Sequence, residues 1–152
     1  MAKATFGAGC FWGVEAAFRK VPGVVATTVG YTGGTAEKPT YEQVCAGGTG
    51  HTESVEVVYD PTKITYDQLL EVFLRIHDPT EKYKAQYKSV IFYHTPEQRA
   101  QAEAAVERYQ QMAPPRRPIA TEILPAVIFY PAEEYHQQYY EKRGITEDVC
   151  AR

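Results

Sequence analysis

A chain of 152 residues, 44% apolar and 23% charged, has the size and composition of one globular domain. We expect residues 1–152 to form a single domain with a C-terminal tail from about residue 143. The net charge of −3 is spread along the chain, which argues against a nucleic-acid-binding surface. No apolar run approaches the roughly 18 residues of a membrane-spanning helix. The N-terminal stretch is too short and polar for a signal peptide, so we expect the mature chain to begin at about Met1.

Three cysteines, at Cys10, Cys45 and Cys150, are an odd number and lie far apart in the sequence. This spacing does not suggest a disulfide framework and is typical of a reducing compartment, so we expect a cytoplasmic protein. The four histidines share no ligand spacing with the cysteines, and neither C-x-x-C nor H-x-x-x-H occurs. The sequence therefore predicts no metal site.

The first half of the chain alternates between predicted strands and helices. Residues 4–8 form an apolar strand that runs into a Gly-x-Gly turn. Helical spacing of apolar residues begins at Cys10 and ends at the Val-Pro-Gly of 21–23. Valine and threonine predict a strand over 24–31, and we interpret the glycine-bounded segment 33–48 as a loop.

The second half continues with a strand over 51–59, where the side chains alternate in character. Thr65 and Gln68 then form a capping box that predicts the start of a helix. The remaining predicted elements are a strand over 88–93, a surface helix over 95–112, a strand over 119–123 and a short helix over 132–142. This order predicts an α+β fold of the ferredoxin-like split-βαβ type, a mixed sheet with helices packed against it.

Cys10 lies where the first strand, a glycine turn and the first helix meet. Backbone N–H groups and the positive end of the helix dipole favour a thiolate there. Cysteines at helix starts reach pKa values of about 3.5–7.5 instead of about 8.5. We interpret Cys10 as a reactive thiol, with a small buried residue as the alternative. The glycines do not form a dinucleotide loop, because Trp12 occupies the third glycine position and would block a pyrophosphate.

Two aromatic residues follow Cys10 directly. Phe11 shares a helix face with Val14 and Phe18, so we expect it in the core. Trp12, the only tryptophan of the chain, lies about 100° further round the helix and should be less buried. An indole beside a thiol predicts the floor of a small apolar pocket, although both rings could simply pack against the core.

The strand over 51–59 carries a carboxylate on its more apolar side. The strand period of two places Glu53 with Val55 and Val57, and places Glu56 on the opposite side. Burial at that position should raise the pKa of the Glu53 carboxyl, which suits a general acid. A surface glutamate on an edge strand is the alternative interpretation, and Glu56 is the natural control.

Tyrosine is frequent, with 12 residues, and two tyrosines lie where a loop meets a strand. These are Tyr41 and Tyr87. A phenol at such a junction can donate a hydrogen bond into a cleft.

Three stretches then resemble one family: "GCFWGVE" (9–15), "PTYEQVCAGGTGHTESVEVVYDP" (39–61) and "HDP" (77–79). They resemble the peptide methionine sulfoxide reductase A family, and the likeness runs from about residue 5 to about residue 140. The resemblance implies a ferredoxin-like α+β fold and reduction of the S epimer of methionine sulfoxide, free or in peptides. It also implies thioredoxin or another thiol as the reductant. We expect a monomer.

The resemblance implies a role for six residues of this chain. Carried over by motif, the nucleophile, the pocket for the ε-methyl group, the acid and the two phenols around the sulfoxide oxygen are Cys10, Phe11 with Trp12, Glu53, and Tyr41 with Tyr87. The chemistry agrees, because a sulfoxide sulfur becomes electrophilic only when its oxygen is protonated or strongly hydrogen-bonded. Attack by the thiolate would leave a cysteine sulfenic acid and would need no cofactor.

Two features depart from the family pattern. Only Thr-Glu-Lys-Tyr-Lys-Ala follows the motif at 77–79, so an aspartate that helps line the site in many family members has no counterpart. Glu81 or Tyr83 could fill part of that space. The C-terminus also lacks the glycine-rich tail in which resolving cysteines often lie.

Cys150 is the residue that we expect to resolve the sulfenic acid on Cys10. Gly144 offers a hinge, and the entropy of closing a loop grows only slowly with its length. Cys45 is the competitor, although "YEQVC" is typical of a strand or turn edge where a small apolar residue packs. Direct reduction by an external thiol is the third possibility.

Two other classes of protein remain open at this point. A thiol peroxidase would also use a cysteine of low pKa and a sulfenic acid, but it needs no aromatic pocket for a methyl group. A non-catalytic module that binds oxidised methionine would need neither Cys10 nor Glu53.

Overall fold

Six strands form one mixed sheet in the part of the chain that the computed structural model describes, residues 1–80, 85–112 and 118–142. In chain order the strands are β1 (Ala2–Ala8), β2 (Val24–Thr32), β3 (Thr52–Tyr59), β4 (Ser89–Tyr93), β5 (Glu122–Pro125) and β6 (Phe129–Pro131). Their order across the sheet is β5-β4-β1-β3-β2-β6. Strands β4 and β5 pair in parallel, and the other four neighbouring pairs of this sheet are antiparallel.

The described residues also form five α-helices and two short 3₁₀ helices. The α-helices are α1 (Phe11–Arg19), α2 (Tyr41–Ala46), α3 (Tyr66–Arg75), α4 (Pro96–Met112) and α5 (Tyr139–Lys142). The 3₁₀ helices span Ala85–Tyr87 and Glu134–His136. Helix α1 packs on β2 and β3, α3 on β1, and α4 on β4 and β5, while α3 contacts both α1 and α4. The fold is therefore α+β, with helices packed against a mixed sheet, as the sequence predicts.

Stacked aromatic rings hold the helices on the sheet. The ring of Phe6 on β1 lies 5.2 Å from that of Phe18 on α1 and 5.2 Å from that of Phe73 on α3. All three side chains are fully buried. Offset aromatic pairs contribute about 0.5–1.5 kcal/mol each beyond the area that they bury. This cluster fixes α1, and with it the residues at the start of α1, against the centre of the sheet.

A local sequence signal accounts for the start of α3. Before α3, the Thr65 hydroxyl accepts a hydrogen bond from the Gln68 amide at 3.1 Å, and the Gln68 side chain accepts one from the Thr65 amide at 2.9 Å. The predicted capping box at the start of α3 is therefore confirmed. Strand β3 pairs with β1 on one side and with β2 on the other.

The prediction of a loop over 33–48 is wrong in part, because α2 lies inside that segment. Its start is a second capping box, in which the Thr40 hydroxyl accepts from the Gln43 amide and the Gln43 side chain accepts from the Thr40 amide. The helix ends at Ala46 and is capped by Gly47, whose φ of 83° is favourable only for glycine.

The helix predicted over 132–142 is also interrupted. It is replaced by the second 3₁₀ helix and by α5, which are separated at Gln138 by a left-handed φ of 53°. Strand β6 was not predicted from the sequence, and its three residues are too few to show an alternating pattern. Helix α4 is not wholly on the surface, because Ala102 and Ala105 are buried. Among the described residues, no helix has both the length and the apolar character needed to cross a membrane.

Candidate active site

Cys10 lies at the N-cap of α1, directly after a glycine turn. Gly9 in that turn has a φ of 104°, which glycine adopts without steric strain. The carbonyl of Cys10 accepts a hydrogen bond from the Val14 amide at 3.4 Å, and the Cys10 side chain is half-buried. The predicted place of this thiol at a helix start is confirmed, and the positive end of α1 favours its thiolate form.

Glu53 is a buried carboxylate in the middle of the sheet. Strand β3 lies between β1 and β2, so the alternative of a surface glutamate on an edge strand is wrong. Glu53 is 1% exposed. Glu56, on the other side of β3, is partly exposed, and its Oε1 atom lies 3.8 Å from Nζ of Lys3. The pairing register sets Glu53 opposite Tyr31 of β2. The alternation of β3 therefore turns this carboxylate into the protein interior.

Hydrogen bonds tie the carboxylate of Glu53 to the start of α1. The amide of Phe11 donates to Oε1 of Glu53 at 3.2 Å, and the side chain of Gln86 donates to Oε2 at 2.6 Å. Because Phe11 directly follows Cys10, the thiol and the carboxylate belong to one site. A carboxyl at this position can act as a proton donor beside a nucleophilic sulfur.

Gln86 links the carboxylate to a second cysteine. Its Nε2 atom also lies 3.2 Å from the Sγ atom of Cys45, which is an exposed thiol on α2. Cys45 and Gln86 line a cleft of about 180 Å³ together with the glycine-rich residues 46–50. The interpretation of "YEQVC" as a strand or turn edge with a packed cysteine is wrong, because this segment is helical and Cys45 faces solvent.

Aromatic rings surround the residues after Cys10. Phe11 is fully buried, and its ring lies 5.8 Å from that of Tyr31 and 6.3 Å from that of Tyr41. Trp12 is less buried than Phe11, as predicted, and its ring stacks on that of Tyr139 at 3.8 Å with an angle of 8° between planes. The site thus has an apolar aromatic wall next to the thiol, which suits a small apolar group.

His136 completes this wall from the C-terminal part of the chain. The indole Nε1 of Trp12 donates a hydrogen bond to Nδ1 of His136 at 2.9 Å. The His136 ring lies 4.3 Å from the Tyr41 ring and 5.3 Å from the Phe11 ring, and the histidine is buried. The acceptor role of Nδ1 places the proton of a neutral imidazole on the other nitrogen.

The phenol of Tyr41 faces the same region. Burial, a hydrogen bond with Cys45 and the charge that Glu53 carries when it is ionised, in that order, raise the pKa of Tyr41 far above its usual range. Tyr87, at the end of the first 3₁₀ helix, adds to this shift of the Tyr41 pKa, so the two phenols are near each other. Tyr41 stays protonated at neutral pH and can donate a hydrogen bond.

Glu133 holds the backbone of Tyr41 in place by hydrogen bonding. It accepts hydrogen bonds from the Tyr31 hydroxyl at 2.8 Å and from the Tyr41 amide at 3.0 Å. Burial acts to raise the pKa of Glu133, but the hydrogen bonds from Tyr41, from its own amide and from Tyr31 outweigh burial and hold that pKa below its usual value. An ionised Glu133 therefore anchors the start of α2 to the segment that follows β6.

The structure brings together the six residues to which the sequence assigned catalytic or substrate-binding roles, and it leaves three predictions without a position. Cys150 and the proposed substitutes Glu81 and Tyr83 lie outside the described residues. In the ranges that are described, no three His, Cys, Asp or Glu side chains are grouped so that they could hold a metal ion.

Four residues of the site were not singled out from the sequence: Tyr31, Gln86, Glu133 and His136. Each is joined to its partner in the site by a contact across a long stretch of chain, so no local spacing indicates it. The signal for α2 was present, since Thr40 and Gln43 have the spacing of a capping box.

Comparison with known proteins finds one family. Residues 2–151 match the family model described as peptide methionine sulfoxide reductase. The chain is 56% identical over 153 residues to the peptide methionine sulfoxide reductase MsrA of Methanosarcina acetivorans, an alignment that covers 97% of this chain and 81% of that protein.

Solved structures give the same result. Methionine sulfoxide reductase A of Corynebacterium diphtheriae has a TM-score of 0.88 and 41% identity, over 97% of this chain and 77% of that one. Mxr1 from Saccharomyces cerevisiae in complex with Trx2 has a TM-score of 0.67 and 29% identity, over 91% of this chain and 84% of that one.

Proposed function

The chain belongs to the peptide methionine sulfoxide reductase family, and we propose that it reduces the S epimer of methionine sulfoxide, free or in proteins, to methionine. One observation carries this proposal. The buried carboxylate of Glu53 accepts a hydrogen bond from the amide of the residue that follows Cys10. A proton donor, a thiol and an aromatic wall in one site are what sulfoxide reduction requires.

The first step transfers one oxygen atom. The neutral carboxyl of Glu53 protonates the sulfoxide oxygen, which makes the sulfur electrophilic, and the Cys10 thiolate attacks. The sulfur–oxygen bond of the substrate breaks, the oxygen ends on Cys10 as a sulfenic acid, and methionine leaves. Two electrons pass from the cysteine sulfur to the substrate sulfur, so the cysteine is oxidised and the substrate is reduced.

Four further residues bind the substrate in this mechanism. Phe11 and Trp12 hold the ε-methyl group, because their rings form an apolar wall beside the thiol. The phenols of Tyr41 and Tyr87 donate hydrogen bonds to the sulfoxide oxygen, since a phenol carries its proton at neutral pH. Selection of one epimer requires that the methyl group and the oxygen of the substrate are bound by these two different sets of side chains.

A dithiol then returns the enzyme to its starting state. Two thiols reduce the sulfenic acid to a thiol, release water and become a disulfide. Thioredoxin is the proposed donor, which the complex of Mxr1 with Trx2 supports. Cys150 is the proposed internal resolving cysteine, with Cys45 as the competitor.

We also propose a finer description of the fold and its setting. Four strands lie in the order β4-β1-β3-β2 across the sheet. Along the chain, α1 connects β1 to β2 and α3 lies in the connection from β3 to β4, which supports a ferredoxin-like split-βαβ unit. Residues 1–152 would then be one domain, acting as a monomer. The thiols of Cys10 and Cys45 support a reducing compartment such as the cytoplasm.

The proposal is tested by incubating the protein with a mixed-epimer methionine sulfoxide peptide and dithiothreitol. We expect the S epimer to disappear and the R epimer to remain, as followed by chiral chromatography. The same assay with hydrogen peroxide tests the thiol peroxidase alternative, since faster turnover of peroxide than of sulfoxide would favour that class.

Cys10→Ser is the decisive variant for the mechanism. A serine hydroxyl stays protonated where a thiol ionises, so we expect no reduction of either epimer. Cys45→Ser is the matched control, because it removes an exposed thiol and should keep the first turnover. Sulfoxide reduction by Cys10→Ser would exclude the mechanism, whereas reduction by the wild type that is lost in Cys10→Ser would exclude a non-catalytic binding module.

A further inference from the structure

Glu15, on α1, is a second buried carboxylate besides Glu53 on β3, and the proposed reaction does not use it. Its side chain is 1% exposed and lies one helical turn beyond Phe11. The Thr27 hydroxyl donates to Oε2 of Glu15 at 2.7 Å, and the Gln138 amide donates to Oε1 at 2.7 Å. Glu15 therefore joins three parts of the fold: α1, strand β2 and the segment before α5.

The bond to Gln138 is made by a strained residue. Gln138 has a φ of 53°, a conformation that few residues other than glycine, asparagine and aspartate adopt. Such a conformation persists only where surrounding contacts hold it. The hydrogen bond from the Gln138 amide to Glu15 is such a contact, so the carboxylate fixes the path of the chain between His136 and Tyr139.

The segment held in this way carries the partners of Trp12. Tyr139, the residue after Gln138, stacks on the indole at 3.8 Å, and His136 accepts the indole N–H at 2.9 Å. One turn further along α1, Arg19 donates to the Glu141 carboxylate at 2.7 Å and to the Thr27 hydroxyl at 3.3 Å. The segment from Gln138 to Glu141 is thus bound to α1 by two side chains of that helix, Glu15 and Arg19.

Burial makes this arrangement costly. It raises the pKa of the Glu15 carboxyl, against the opposing effects of the bonds from Thr27 and Gln138 and of the Arg19 charge. A residue of similar size without a charge would avoid that cost. The hydrogen bonds that Glu15 makes are therefore the property that distinguishes it from an apolar residue at this position.

We propose that Glu15 is a positioning residue: by binding the Gln138 amide and the Thr27 hydroxyl, it holds Tyr139 against Trp12 and so fixes the wall that receives the methyl group of the substrate. This role rests on the proposed reduction of methionine sulfoxide, in which Trp12 contacts that methyl group. Glu15 itself does not contact the reacting atoms, so its removal should weaken substrate binding and leave the thiol reactive.

Trp12 provides a readout that does not depend on activity, because it is the only tryptophan of the chain. In Glu15→Ala we expect acrylamide to quench the Trp12 fluorescence about twice as strongly as in the wild type, since the Tyr139 ring no longer covers the indole. We expect KM for a methionine sulfoxide peptide to rise about tenfold with kcat changed less than about threefold. Alkylation of Cys10 by iodoacetamide should keep its rate.

Two further variants complete the test. In Glu15→Gln, the amide oxygen can still accept from Gln138 and the amide nitrogen can donate to Thr27, so quenching and KM should return close to the wild type. Glu71→Ala, which removes an exposed carboxylate on α3, is the matched control and should change neither value. If Glu15→Ala does not fold, Thr27→Val replaces it, because valine has nearly the shape of threonine but cannot hydrogen-bond to Glu15. We then expect quenching and KM to rise about threefold.

Unchanged quenching and KM in a folded Glu15→Ala protein would overturn the proposal. A fall in kcat and in the rate of Cys10 alkylation as large as the rise in KM would overturn it too, because it would show general damage to α1. If quenching changes in an enzyme that has no sulfoxide reductase activity, the proposed function fails while the contact between Glu15 and the segment carrying Tyr139 stands.

Discussion

The side-chain amide of Gln86 donates a hydrogen bond of 2.6 Å to the buried carboxylate of Glu53. An amide can support a carboxyl group in both of its protonation states. Its NH₂ group donates to a carboxylate, and after rotation its oxygen accepts from a protonated carboxyl. A general acid passes through both states in each turnover, so Gln86 can keep the Glu53 side chain in place throughout the reaction.

Glu53→Gln is expected to slow the chemical step by about 10²–10⁴-fold, because the amide keeps the shape but has no proton to give. The measurement is single-turnover reduction of a methionine sulfoxide peptide. Glu56→Gln, on the same strand but on its partly exposed side, should stay near the wild-type rate. A larger loss in the Glu56 variant would mean that the acid has been assigned to the wrong carboxylate.

Gln86→Leu is expected to slow the same step by about tenfold, because Oε2 of Glu53 loses a short hydrogen bond in the protein interior. The pH profile of kcat/KM should shift to higher pH on its alkaline side, since a buried carboxylate with fewer donors holds its proton more tightly. Gln111→Leu, an exposed position on α4, serves as the control. An unchanged pH profile would show that Gln86 only fills space.

Trp12→Ala is expected to raise KM for the sulfoxide peptide and to lower the rate, because the seat for the methyl group loses its larger ring. Alkylation of Cys10 should continue at the wild-type rate. Tyr93→Ala, a partly buried aromatic residue at the end of β4, is the comparison for general loss of packing. If alkylation of the thiol falls as much as sulfoxide reduction does, Trp12 is structural.

Local patterns were enough to predict the strand that carries Glu53 and the helix that begins after Cys10. The strand period assigned Glu53 to the buried side of β3, and the change from strand to helix period put Cys10 at the start of α1. The capping box at Thr65 was found for the same reason, since its two residues lie three positions apart. Helix α2 was missed although Thr40 and Gln43 have the same spacing, because its six residues show no clear helical period after the cap.

The rest of the site depends on contacts that no local pattern encodes. Gln86 is 33 positions from Glu53, Glu133 is 102 positions from Tyr31, and His136 is 124 positions from Trp12. These residues have ordinary surroundings in the sequence. Their roles become visible only when the sheet and the segment after β6 bring them to the start of α1.

Tyr66→Phe is expected to stabilise the protein by about 1 kcal/mol, because the Tyr66 hydroxyl is buried and has no hydrogen-bond partner among the described residues. Burial, and then the charges of Tyr59 and Asp67, raise the pKa of Tyr66 above its usual range. The unfolded chain ionises this phenol above about pH 10 and the folded chain does not, so wild-type stability falls as the pH rises further.

The measurement is urea unfolding between pH 7 and 11. The advantage of Tyr66→Phe should grow above about pH 10, because the variant lacks one group that ionises only on unfolding. Tyr109→Phe, partly buried on α4, is the control. A constant or shrinking advantage above pH 10 would contradict the assigned burial of the Tyr66 hydroxyl.

The last prediction concerns the cysteine that resolves the sulfenic acid on Cys10. We expect a disulfide between Cys10 and Cys150, since a long loop closes at an entropic cost that grows slowly with length. Cys45 is a stronger competitor than its sequence pattern indicated, because it is an exposed residue on α2. Its Sγ atom also lies 3.2 Å from Nε2 of Gln86, the atom that donates to Glu53.

The experiment oxidises the protein with one equivalent of methionine sulfoxide and maps disulfides by peptide mass. A bridge from Cys10 to Cys150 supports the prediction, and a bridge to Cys45 transfers the role to α2. A trapped sulfenic acid with both other thiols reduced rules out internal resolution. Cys150→Ser should then lose turnover with thioredoxin while keeping it with dithiothreitol, and the matched variant Cys45→Ser should keep both. Full thioredoxin-dependent turnover by Cys150→Ser would refute the assignment, because the resolving thiol would be absent and recycling unaffected.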